Sequence, residues 1–160
     1  MQMIRVHGTC VAIEGEGVLL RGKPGSGKSD LALRLIDAGA SLVADDQTEL
    51  TRRGDAILAA APAAIAGRIE IRGVGILACP SVATAPLRLV VDLVAADEVE
   101  RLPEMQSCVY LGRPIPLLRL APFEASTPAK LRLVLAAAAA ARRPAQGPAG
   151  RLARRVGGVA

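Results

Sequence analysis

Residues 18–39 read VLLRGKPGSGKSDLALRLIDAG, and this stretch decides the class of fold. GVLLRG, at its start, is a short apolar run bounded by glycines, the pattern of a buried strand. Gly22, Lys23, Pro24, Gly25, Ser26, Gly27, Lys28 and Ser29 then fill every fixed position of G-x-x-x-x-G-K-[ST]. Beyond them Leu31, Leu35 and Ile36 recur on one helical face, and Gly39 stands where a C-cap belongs. Strand, glycine-rich turn and helix, in that order, make a phosphate-binding loop. The glycines let the backbone wrap closely around phosphates, and the N–H groups of the helix N-terminus face the negative charge. Lys28 is spaced to reach the β- and γ-phosphates and Ser29 to hold a metal ion, so the loop predicts ATP and Mg²⁺. It leaves the phosphate acceptor open between water, a small metabolite and another protein.

Outward from the loop, the chain reads as strand-rich. Residues 3–21 alternate and break at Gly8 and Gly15-Glu16-Gly17, which predicts a hairpin ending in GVLLRG. SLVADDQTELTRRGDAILAAAP (41–62) predicts strand, loop and strand, and GRIEIRGVGILACP (67–80) a strand running into a tight turn. PLRLVVDLVA (86–95) is a buried strand, DEVERLP (97–103) a short helical or loop segment, and VYLGRPIPLLRLAP (109–122) a strand pair interrupted by prolines. STPAKLRLVLAAAAAARR (126–143) predicts the final helix, with Ser126 as N-cap and Pro128 in its first turn. From Pro144 onward Pro, Gly, Ala and Arg follow no period, so residues 144–160 are expected to be a disordered tail. The expected class is α/β, one domain over 1–143, with more strand than a doubly wound nucleotide fold carries.

Composition narrows the partners. Half of the 160 residues are apolar, yet there is one Tyr, one Phe and no Trp, so the core must be aliphatic. The formal net charge is +5, and residues 142–160 hold five arginines and no acid, which accounts for the whole excess. Without aromatics to stack on bases, the folded part is not expected to bind nucleic acid. Cys10, Cys79 and Cys108 have neither zinc nor disulfide spacing, and no apolar run is long enough for a membrane span or leader. A cytoplasmic protein with no membrane partner is expected.

A phosphate loop needs acids. Asp92 ends the apolar strand LRLVVD and has the generic look of a metal-binding acid in a P-loop NTPase; this is the alternative reading, a small-molecule kinase or NTPase. Asp45 and Asp46 follow SLVA, one helix after the loop, at a strand end beside the expected phosphates. Two carboxylates held that close resist being ionised together, which suits proton transfer. Glu70 and Arg72 alternate with Ile69 and Ile71 and so share a strand face, and His7, the sole histidine, precedes Gly8 at a turn.

VHGT (6–9), GKPGSGKSDLAL (22–33), LVADDQ (42–47) and IEIRGVGIL (69–77), in this order and spacing, resemble the C-terminal kinase domain of the bacterial HPr kinase/phosphorylase family over roughly residues 1–140. The short form found in some alphaproteobacteria, a kinase domain standing alone, is the nearest pattern. The resemblance implies a fold like that of phosphoenolpyruvate carboxykinase and an ATP- and Mg²⁺-dependent kinase acting on a serine of HPr or an HPr-like phosphocarrier. It implies that His7 sets the charge state of the neighbouring aspartate, that Asp45 or Asp46 accepts the serine proton, that Lys28 meets the phosphates, and that Ser29 and Glu70 hold Mg²⁺. Arg72 falls in the signature strand and Arg101 matches a catalytic arginine in a more variable region. A homo-oligomer is implied, hexameric in the family. One departure stands out: where the family carries P-V-R-P-G-R, this chain reads LRLAPFEASTPAKL (118–131), which weakens the expectation of a reverse, phosphorylase reaction.

Overall fold

The computed structural model describes residues 2–143; the expected tail, 144–160, lies outside them. Eleven strands and two α-helices follow one another as β1 (Met3–His7), β2 (Thr9–Ile13), β3 (Glu16–Arg21), α1 (Lys28–Asp37), β4 (Ser41–Ala44), β5 (Gln47–Arg53), β6 (Ala56–Ala60), β7 (Arg68–Ile71), β8 (Gly75–Ala78), β9 (Thr84–Leu93), β10 (Gln106–Tyr110), β11 (Arg113–Leu120) and α2 (Thr127–Arg142). Short 3₁₀ turns at Ala63–Ile65 and Ala96–Glu98 fill two connections.

Nine strands form one curled, mixed sheet in the order β1-β5-β6-β9-β3-β2-β4, with β11 on β9 and β10 on β11. β9 is its hub. Its first residues pair antiparallel with β6, and its second half carries β3 and β11 in parallel. The β7-β8 hairpin forms a separate pair, fastened to β4 where Leu42 N–H donates to the Pro80 carbonyl (2.8 Å) and Val82 N–H to the Leu42 carbonyl (2.9 Å).

The two sheet faces bury different partners. On one, Val18, Leu20, Leu89 and Val91 pack against Leu31, Ala32 and Leu35 of α1 and Leu131 and Leu135 of α2. On the other, Cys10, Leu19 and Val90 pack against Leu50, Ile57, Ala59 and Ile115 as the sheet curls over itself. This is the aliphatic core that a chain with two aromatic residues requires, and its dozen largest buried side chains are all Leu, Ile or Val.

Several expectations are sharpened or corrected. The hairpin is β2-β3 alone, because the chain bends at Gly8 and β1 pairs with β5 instead. Residues 41–62 form three strands, not two. Asp45 and Asp46 by themselves link β4 to β5, with Asp46 at φ 62°, a left-handed conformation that Asp tolerates better than most residues. These bends coincide: β1-β2 and β4-β5 run antiparallel, and both turn the corner together at Gly8 and Asp45-Asp46. Gly39 closes α1 as expected, at φ 108°. Its N–H donates to the Ile36 carbonyl and that of Ala40 to Leu35, a Schellman motif. Ser126 stands at the N-cap position of α2 and its carbonyl accepts from the Lys130 N–H (2.9 Å), but its hydroxyl makes no cap; the hydroxyl engaged here is that of Thr127, which donates to the Ala121 carbonyl (2.6 Å).

Candidate active site

The phosphate loop leaves the end of β3 and enters α1 as its motif requires. Gly25 (φ 79°) and Gly27 (φ 102°) both take left-handed backbone, which glycine adopts without strain. The Lys28 side chain is buried and folds back over the loop, its Nζ donating to the carbonyls of Gly22 (2.6 Å) and Lys23 (3.2 Å). The Ser26 hydroxyl is buried with no hydrogen-bond partner among the described residues. A buried donor left unpaired costs about 1–3 kcal/mol, so the loop holds one polar group ready for an incoming acceptor.

Beside the loop stands the double bend. The Asp45 carboxylate is buried, and Oδ1 accepts from the hydroxyls of Ser29 (2.9 Å) and Thr9 (3.2 Å). Oδ2 accepts from the backbone N–H of Glu70 (2.9 Å). One carboxylate therefore joins the start of α1, the start of β2 and strand β7. Thr9 Oγ1 also accepts from the Asp46 N–H (3.1 Å), and the Gly8 N–H donates to the Asp46 carbonyl (2.9 Å), which seats His7 next to Asp46. A side chain at Gly8 would lie 2.7 Å from Leu19 Cδ1 and 2.9 Å from the Leu20 carbonyl, so only glycine passes this close.

The two adjacent acids end in different surroundings: Asp45 is buried and held by three donors, Asp46 is exposed. His7 and Glu70 are exposed as well, and Ile69 beside Glu70 is buried against α1, as strand alternation predicts. Arg72 is exposed just past β7. Arg101 lies on the exposed connection after the second 3₁₀ turn, and among the described residues no hydrogen bond or ion pair ties it to this cluster. Cys79 borders the site; burial, and then the Asp45 charge, push its thiol pKa up, which keeps it protonated. Thr9 is the positioning residue that spacing and residue type did not single out; its place just after a glycine at a strand start is the signal that marks it.

Asp92 is elsewhere. Arg21 meets it through both guanidinium edges, Nε to Oδ1 at 2.7 Å and an Nη to Oδ2 at 2.9 Å, while the other Nη donates to the Tyr110 hydroxyl (3.0 Å). By alternation from Leu19 and Val90, this pair lies on the sheet face away from α1. Its carboxylate is occupied.

Ser29, Asp45 and Glu70 offer hard oxygen donors of the kind Mg²⁺ takes, one or two carboxylates completed by phosphate oxygens and water. The geometry is thus a phosphate loop whose serine is gripped by a buried acid, with an exposed acid and a histidine one step along the same corner.

The model of the HPr serine kinase C-terminal domain matches residues 1–143. The chain belongs to that family. Among curated members, the HPr kinase/phosphorylase of Cupriavidus metallidurans is 39% identical over 128 residues, spanning 73% of this chain and 40% of the relative. That of an Exiguobacterium species is 47% identical over 76 residues, spanning 47% of this chain and 24% of the relative. The chain thus spans well under half the length of the HPr kinase/phosphorylases it matches. The solved structure of the Hpr(Ser) kinase/phosphatase from Coxiella burnetii superposes with a TM-score of 0.73 at 25% identity, covering 83% of this chain and 88% of that one. The strand-rich fold is therefore that of the HPr kinase domain.

Proposed function

We propose that this chain transfers the γ-phosphate of ATP, with Mg²⁺, to a serine hydroxyl of HPr or an HPr-like phosphocarrier. The observation that carries it is the Asp45 carboxylate held by Ser29, Thr9 and the Glu70 N–H, because it unites all the motifs of the family in one site. The orphaned Ser26 hydroxyl and the loop N–H groups supply donors for phosphate oxygens, and Lys28 supplies the charge. Ser29, Asp45 and Glu70 would hold Mg²⁺, which when bound neutralises charge on the phosphates. A protein serine arrives from solvent, so the exposed acid is the one it can reach: Asp46 takes the proton, with His7 beside it, while Asp45 orients Ser29. Arg72 is exposed on the signature turn, where an incoming acceptor can meet it; Arg101 is assigned no step.

The test is phosphate transfer from ATP to purified HPr-type carriers, run in both directions with and without excess phosphate. Transfer in the kinase direction, lost in Asp46→Asn and in Asp45→Asn, is expected. No transfer to any carrier, or transfer that survives both substitutions together, would sink the proposal. The relatives of this chain are named HPr kinase/phosphorylase; the missing P-G-R stretch predicts that the kinase direction dominates here.

A further inference from the structure

Phe123 is the only phenylalanine in the chain, and it is 67% exposed. Its ring nevertheless rests on the phosphate loop: a Cβ on Gly27 would lie 2.8 Å from Cζ and 3.1 Å from Cε1, and 3.0 Å from Pro122 Cβ. The segment bearing it is braced on both sides. Arg34 of α1 donates to the carbonyls of Pro122 and Glu124, and Lys130 of α2 pairs with Glu124 at 3.2 Å. The Thr127 hydroxyl bonds the Ala121 carbonyl, closing the turn behind the ring. An apolar ring left largely exposed on a segment held this firmly is presented rather than merely uncovered.

Its position says to what. β3, β9 and β11 run parallel, so the phosphate loop after β3 and the Phe123 segment after β11 stand at the same end of the sheet, where ligands of open α/β sheets bind. In the strand order β11-β9-β3-β2-β4, Asp45 follows β4 on one flank of the loop and Phe123 follows β11 on the other. A triphosphate whose terminal end lies toward Ser29 and Asp45 leaves the loop toward Phe123. Resting on the nucleotide reading above, we propose that Phe123 is the stacking surface for the nucleobase of the bound nucleoside triphosphate. Stacking uses the π-face that every base has, so this subsite adds affinity through the base while the loop itself reads only phosphate.

The experiment is equilibrium binding of ATP and of inorganic tripolyphosphate, each with Mg²⁺, to the full chain and to Phe123→Ala and Phe123→Trp. Loss of the ring is expected to weaken ATP by about tenfold or more and to leave tripolyphosphate within about twofold, the range that base–aromatic stacking supplies. The Phe123→Trp protein, which then carries the chain's single Trp, is expected to keep ATP affinity and to show emission quenched by ATP and not by tripolyphosphate. Unchanged ATP affinity in Phe123→Ala, equal weakening of both ligands, or a loss seen only in carrier binding would overturn the assignment. If the unsubstituted chain binds neither ligand, the nucleotide reading falls with it. If the binding pattern holds and no carrier is phosphorylated, the subsite stands and only the acceptor proposal is lost.

Discussion

Three aspartates could have served the phosphate loop, and their hydrogen-bond partners separate them. Asp92 is consumed by Arg21, a bidentate pair that raises the Arg21 pKa further above its ordinary value. Asp92→Asn should therefore lower stability, by about 1–2 kcal/mol for a partly buried charged hydrogen bond, while transfer rates change little; denaturant melts and rate assays on the same protein check both. The generic NTPase reading requires the reverse, an intact fold and no activity. Asp45 depends on Thr9 for its orientation. Thr9→Val keeps the volume and removes the hydroxyl, and should raise the Mg²⁺ concentration giving half-maximal activity by about tenfold, the usual cost of a lost outer-shell partner. A metal titration at saturating ATP reads this directly, and an unchanged midpoint would show that Asp45 is oriented without it.

The element that makes the site is the shared bend of β1-β2 with β4-β5. Alternation in residues 3–21 marks strands, and Gly8 marks a break, yet nothing local says that the strand before Gly8 leaves its neighbour for β5. The same holds for Asp45-Asp46, legible as a loop and structured as the facing corner. The phosphate loop and α1 were legible in full, because left-handed glycines, helical period and the Schellman end are all written in consecutive residues. Ser126 stands at the N-cap position its residue type marks, but its hydroxyl does not cap, since whether a hydroxyl caps depends on how the chain enters the helix, here set by Thr127 bonding back to Ala121. Gly8→Ala tests the bend. Its methyl would press on Leu19 and the Leu20 carbonyl, and the expected cost is about 1–3 kcal/mol, seen as a lower denaturation midpoint with unchanged slope. A neutral result would mean that the corner has slack.

At the scale of the whole molecule, the curled sheet encloses a thiol. Cys10 is fully buried, and burial pushes its pKa from 9.0 to about 12. The folded state keeps the proton that the unfolded chain releases near 9.0. Stability from this group is thus complete below about pH 9 and is lost as pH rises toward about 12, at up to about 1.4 kcal/mol per pH unit. Cys10→Ala should flatten that alkaline fall in urea-derived stabilities between pH 9 and 11, and a parallel pH dependence in the two proteins would contradict it. The thiol illustrates what a linear reading reaches. Its apolar neighbours mark a strand, but the sheet curl that shuts out water comes from residues 40 and more positions away, such as Leu50 and Ala59. The amino-acid sequence alone determined the phosphate loop, the aliphatic strand-rich class and the set of motif residues, because each rests on backbone preferences and periods within a few neighbours. The tertiary structure decided which acid serves the loop. Asp45 meets Thr9, Ser29 and Glu70 across separations of 36, 16 and 25 residues, and contacts of that span exist only once the sheet has closed and bent.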